Sequence, residues 1–444
     1  MPFSSNQPVM ADHCRGPRNS SPRWSGFCGS SNSNSTTEPW IGSRWTSSGS
    51  QTPWGTVITA EENAQDFYGD LETAWTSSQK LVTGAGFDAG SFINPTVTPS
   101  TAAEFGRSSN ATDRHNRDVY GYLSEIDPGL PSQFFYMSVN ERGGDGLGHR
   151  KIGDMGRAHW ENTTVAVDSR FRLVPGKPIV LYSGDDRRGG RIYKWVSQGA
   201  YQTGMTRAEV RSLLDTGTLY VAHFAGLDNA TGLTLLATGQ PPSETNPGQG
   251  QWLYLSTLSA DITPNAAALG ASTKAVGQAL RDVNWNRLGG FRNDADLNLA
   301  LLTASNKIGV MELNRPEDIE WNPLDPSGKP RLYVAFTNHG RQVALDQNGV
   351  VFDPAQHATA SPARPDADGA VFAIEEADPA NPARALLLAK AYMVLVRDQS
   401  FALGRDAFPV PVENVHRQIE NGSTELGRTG QVHRAGRLWL EWDQ

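Results

Sequence analysis

Five short stretches of this chain repeat one pattern: a turn residue, a small or polar residue, an aliphatic, then an aromatic. They are Gly190-Arg191-Ile192-Tyr193, Gly217-Thr218-Leu219-Tyr220, Pro330-Arg331-Leu332-Tyr333, Gly369-Ala370-Val371-Phe372 and Gly436-Arg437-Leu438-Trp439. A chain punctuated in this way favours many short strands joined by tight turns, and repeats of turn plus aromatic strand are the mark of propeller blades. The spacing is irregular, so the repeat is degenerate and carries insertions. In a propeller, loops from several blades converge on one end of the central channel, and residues far apart in sequence can build one site. A supply of 45 glycines, 27 prolines and 12 tryptophans suits this all-β reading. A length of 444 residues fits one large repetitive fold or two to three domains.

We expect residues 1–50, rich in Ser, Asn, Gly and Pro, to be disordered or loosely attached. Order begins at Thr52-Pro53-Trp54-Gly55, which leads into a β-type run over Thr56–Thr59. From there residues 51–444 read as a single β-propeller domain with a helical insert at about residues 263–302. Thr206-Arg207-Ala208-Glu209 forms a capping box that starts a short helix ending near Asp215. The net charge of -8 is not organised into a basic stripe, so nucleic acid is not an expected partner. Cys14 and Cys28 give neither a disulfide framework nor a zinc spacing. The most apolar run, Ala385–Val396, is too short to span a membrane and contains Lys390. No signal peptide is visible at the start. We expect a monomer.

Four places carry chemistry. In Arg315-Pro316-Glu317-Asp318, Pro316 fixes its own backbone angle and pushes Arg315 towards an extended shape, which predicts a stiff turn. Arg315 suits a phosphate or carboxylate, and Glu317 suits a hard cation; the plainer alternative is a surface turn with a local ion pair. His159 and Glu161 stand two apart and so share a face of an extended segment, as a ligand pair, an acid/base pair or a structural hydrogen-bonded pair. Glu61 and Glu62 are neighbours, which a strand turns to opposite faces unless it ends or bulges there. Asp185 and Asp186, in the tight turn of a predicted hairpin, either bind calcium or cap the turn, and capping is the preferred reading.

Jointly these motifs resemble the PhoX-type alkaline phosphatases. The resemblance rests on Thr52–Thr56 with Glu61-Glu62-Asn63, Gly156-Arg157 with His159 and Glu161, the Tyr182–Asp186 hairpin, and Arg315–Asp318; it covers roughly residues 52–338. It implies a six-bladed propeller with a calcium and iron cluster in its channel mouth, hydrolysing phosphate monoesters in the periplasm or outside the cell. On it, Glu161 and Glu317 are metal ligands, Glu61 or Glu62 adds a carboxylate, Arg315 holds the phosphate, and His159 is a second catalytic candidate. Three departures stand out. Ala60 occupies the place of the family's cysteine, which disfavours iron and leaves calcium as the expected metal. The family's N-terminal Asn-His-Glu motif is not found ahead of Thr52, and Gly427–Val432 lacks the aspartate of a Pro-Asp-Gly turn. With the chain stopping at Gln444 just after a strand, the last blade is expected to be incomplete and the chain truncated or frame-disrupted. Two other readings share these carboxylates: a non-catalytic, calcium-stabilised propeller that binds a partner, and another propeller hydrolase such as a lactonase.

Overall fold

Alternating side-chain direction along short strands decides how this chain packs, because both faces of its main sheet are buried. The computed structural model describes residues 46–62, 72, 89–94, 120–135, 147–187, 189–227, 235–264, 273–313, 315–336, 369–385 and 387–397. The expectations for residues 1–45, for Gly427–Val432 and for the Gly436–Trp439 repeat lie outside the described residues.

Two antiparallel sheets dominate. The smaller joins β1 (Thr46–Gln51), β2 (Val57–Glu61), β3 (Leu123–Ile126) and β4 (His149–Lys151) in that order. The pairing therefore begins with Thr46, a few residues before the expected boundary of order. The larger contains β5 (Trp160–Val165), β6 (Pro178–Asp185), β7 (Ile192–Ala200), β8 (Gly217–Ala225), β9 (Gly248–Tyr254), β10 (Pro316–Asn322), β11 (Arg331–Phe336), β12 (Gly369–Glu376) and β13 (Leu387–Arg397). Its order is β10-β11-β12-β13-β9-β8-β7-β6-β5. The capping box of Thr206 and Glu209 is present and starts α1 (Arg207–Ser212). The helical insert is broken into short pieces, including α2 (Val276–Arg281), α3 (Asp294–Asn298) and α4 (Leu301–Lys307).

On β6 to β9, Ile179, Leu181, Tyr193, Trp195, Leu219, Val221 and Leu253 face one way and pack with Leu280, Leu301 and Ile308 of the helical region and Ile58 and Leu123 of the small sheet. The alternate residues Val180, Tyr182, Ile192, Ala222, Phe224 and Trp252 face the other way, against Ile319, Trp321, Leu332, Val334, Phe372 and Ile374 of β10 to β12. The large sheet thus curls around its own second core. Neither sheet closes through backbone pairing among the described residues. The two outer strands, β5 and β10, are instead joined by side chains. Asn162 Oδ1 accepts the Ile319 N–H at 3.0 Å, its Nδ2 donates to the Ile319 carbonyl at 3.0 Å, and Thr164 Oγ1 accepts the Trp321 N–H at 3.1 Å.

A charged network fastens α1 to the small sheet. Glu125 on β3 accepts from Trp54 Nε1 and Thr56 Oγ1, each at 2.8 Å, and from Arg150 Nε and Arg211 Nε, each at 2.9 Å. Asp127 accepts from Arg207 Nη1 at 2.7 Å and Arg211 Nη1 at 3.2 Å. Buried charges arranged this way are each met by an opposite charge or a donor.

Candidate functional site

The end of β2 divides the glutamate pair, as strand alternation requires. Glu61, fully buried, turns towards β4, where both its carboxylate oxygens meet Lys151 Nζ at 2.8 Å. Its Oε2 also accepts the N–H groups of Gly121 at 3.0 Å and Tyr122 at 3.2 Å. Burial works against both charges, raising the Glu61 pKa and lowering that of Lys151, and their attraction offsets this only in part. Glu61, expected as one of the possible metal ligands, is thus engaged in a structural ion pair.

Glu62 goes the other way. One carboxylate oxygen each from Glu62, from Glu161 on β5 and from Asp186 in the turn after β6 lie within 4.8 Å of one another. Glu317, the second residue of β10, acts on both Glu161 and Asp186 as a like charge. Burial, followed by repulsion from Glu62, Asp186 and Glu317, drives the Glu161 pKa well above the usual carboxylate range. Asp186 is raised as well, chiefly by burial, with Arg315 opposing and Glu317 and Glu62 adding to the rise. Glu62 adds to the rise both as a like charge and as a hydrogen-bonding neighbour. Glu161 Oε2 is buried with no hydrogen-bond partner among the described residues.

The Arg315 guanidinium meets two of these carboxyl groups. Arg315 grips Asp186 with Nε at 2.8 Å and Nη2 at 2.6 Å, and Nη2 lies 3.5 Å from Glu317 Oε1. Its side chain is 20% exposed, so one edge of the cluster opens outwards. The backbone corrects an expectation here: Arg315 is not extended but has φ of 50°, and Pro316 begins a strand rather than sitting inside a turn. Proline is tolerated at a first strand position, and the fork's two bonds to Asp186 hold the left-handed bend. Gly184 makes the approach feasible, since a Cβ there would lie 2.4 Å from the Pro316 carbonyl oxygen. His159, buried just ahead of β5, is bracketed by the two aspartates: its N–H donates to Asp185 Oδ1 at 3.1 Å, and its carbonyl accepts the Asp186 N–H at 2.8 Å.

The donor set is suited to a hard cation. Three converging carboxylate oxygens, a partnerless buried oxygen and mutual repulsion all favour a bound positive ion, and oxygen ligands match calcium. With Ala60 beside them, these acids include no thiolate. Sequence reasoning brought Glu161 and Glu317 to the site, left Glu61 and Glu62 undecided, and preferred a capping role for Asp186. The signal for Asp186 is the doubled aspartate in the hairpin: Asp185 is taken up by Arg187 and the His159 N–H, and Asp186 joins Glu62 and Glu161.

A sequence model of the family described as "Alkaline phosphatase PhoX" matches residues 29–394. Among solved structures, the chain is similar to Pseudomonas fluorescens PhoX in complex with vanadate, a transition state analogue, with 21% identity and a TM-score of 0.45. That similarity covers 78% of this chain and 47% of the other, so this chain spans about half the length of the structure it matches. No curated protein matches.

Proposed function

We propose that this chain, which belongs to the PhoX family of alkaline phosphatases, is a calcium-dependent phosphomonoesterase centred on Glu62, Glu161 and Asp186. The observation that carries the reading is the convergence of their three carboxylate oxygens within 4.8 Å beside a partly exposed guanidinium. Glu62, Glu161 and Asp186 would hold the cation, with Glu317 adding negative charge at its edge. When bound, the cation supplies charge neutralisation for a phosphoryl group that is already anionic. Arg315, anchored by Asp186, presents its outer edge to the phosphoryl oxygens and fixes their orientation. His159, at the entrance to β5, is assigned proton transfer to the leaving oxygen. Iron is not part of the proposal, because Ala60 removes the thiolate.

Two finer readings belong with it. A propeller about a shared channel is the reading that goes with the family, and the four-stranded antiparallel meander β1 to β4 has the size of one blade; the other nine strands, joined through β9, run as one continuous sheet and not as separate blades among the described residues. A location in the periplasm or outside the cell is the reading that goes with the family; among the described residues no helix is long and apolar enough to cross a membrane.

The test is calcium titration by calorimetry with p-nitrophenyl phosphate hydrolysis on the same preparation. Calcium-dependent turnover is expected. Folded, calcium-loaded protein that hydrolyses no phosphate ester overturns the assignment; stabilisation by calcium without turnover leaves a binding module, and turnover of lactones alone leaves a different hydrolase.

A further inference from the structure

A second set of buried charges lies directly behind the acid cluster. Asp185, the last residue of β6, is fully buried and is enclosed by the fork of Arg187: Nε lies 2.8 and 3.1 Å from its two carboxylate oxygens, and Nη2 lies 2.8 Å from Oδ2. Arg187 Nη1 reaches Glu72 Oε2 at 2.6 Å, and Glu72 Oε1 accepts the Thr303 N–H of α4 at 2.7 Å. The turn beyond is tight enough that a Cβ on Gly190 would stand 1.9 Å from the Asp185 carbonyl oxygen.

The importance of this pair comes from a gap in the ladder. β5 and β6 pair at Trp160 with Asp185 and again at Thr163 with Ser183, but the register shifts between the two. Glu161 lies within that shifted stretch. Regular backbone pairing therefore does not set the position of Glu161 against the hairpin that carries Asp186. Two other bonds bridge the place: His159 N–H to Asp185 Oδ1, and Asp186 N–H to the His159 carbonyl. The first depends on where the Asp185 carboxylate is held, and Arg187 holds it.

We propose that Asp185 and Arg187 are positioning residues for the metal centre: their ion pair locks the approach to β5 against the β6 turn, and so sets the spacing of Glu161 and Asp186. The proposal rests on the cation-site reading given above. Neither residue touches the cation; they act through backbone geometry. A lysine at 187 keeps the charge but has no planar fork and cannot grip both oxygens while reaching Glu72.

The experiment measures calcium affinity by calorimetry, melting temperature with and without calcium, and kcat and KM for p-nitrophenyl phosphate, on the full chain and on Arg187→Lys. Calcium affinity is expected to fall about tenfold, the usual cost of losing an outer partner of a metal site, with kcat falling; the cation-free melting temperature is expected to fall as well, since Asp185 and Glu72 are less well answered in the interior. Glu72→Gln, which keeps shape and one acceptor, carries the test if Arg187→Lys does not fold, with a smaller loss of calcium affinity expected. Wild-type calcium affinity in a folded variant overturns the positioning role, as does a fall in melting temperature with affinity intact. A wild-type chain that binds calcium but hydrolyses nothing sinks the phosphatase reading alone, because the positioning role is still read from calcium affinity. A wild-type chain that binds no calcium overturns both.

Discussion

Two of the buried acid clusters among the described residues are built on opposite terms. Around Glu125 and Asp127, three arginines and three neutral donors surround two carboxylates, so the charges are answered. Around Glu161, the acids Glu62, Asp186 and Glu317 act as like charges, and Arg315 grips Asp186. The first is a fastening: its charges balance, and removing one leaves its partners exposed to an apolar interior. The second crowds like charges together, and burial with mutual repulsion pushes Glu161 and Asp186 towards their protonated forms. Such crowding in the interior is what supports the proposed cation site.

The largest expected effect falls on the balanced cluster. Glu125→Ala should cost about 3–5 kcal/mol, read by urea unfolding, because it strips the acid from a buried network; calcium affinity of the folded fraction should not change. Next is Glu161→Gln, which should lower calcium affinity by about a hundredfold in calorimetry, yet raise the melting temperature of the cation-free protein by removing a repelled charge. If both variants lose stability alike, the contrast collapses. Arg315→Ala should raise KM for p-nitrophenyl phosphate by about tenfold, about 1.4 kcal/mol of lost anion binding, and should also lower stability in unfolding, because buried Asp186 loses its partner.

A smaller effect concerns pH. Glu161 and Asp186 have folded pKa values above their unfolded ones. Between those values the folded state binds more protons, so their contribution to stability declines as pH rises through the window. Without cation, the melting temperature should fall as pH rises above the ordinary carboxylate range, and calcium should counter the fall. Smallest of all, Glu61→Gln should leave calcium affinity unchanged while lowering stability through the loss of its Lys151 pair. A loss of affinity there would move Glu61 into the cation site and redraw the boundary between the two kinds of cluster.

Much of this was legible in the sequence where local rules govern. The hairpin after Pro178, the capping box at Thr206 and the strand from Gly217 follow from turn chemistry and alternation, and each is found. The resemblance that suggested the family is matched by the family model. What sequence did not decide depended on distance in space. Which of Glu61 and Glu62 faces the cluster depends on where β2 ends. The bend at Arg315 depends on Asp186, 129 positions away. Glu72 and Arg187, 115 positions apart, offer no common motif.

The lacing of β5 to β10 has a mechanical consequence. Glu161 and Glu317 ride on those two strands, so the gap between them is governed by a seam of side-chain amide and hydroxyl contacts and not by a run of backbone rungs. Such a seam can part locally without unravelling a sheet, letting the two strands that carry Glu161 and Glu317 shift against each other. The exchange rates of the Ile319 and Trp321 amide protons, which Asn162 and Thr164 alone shield in that seam, gauge how often it does so.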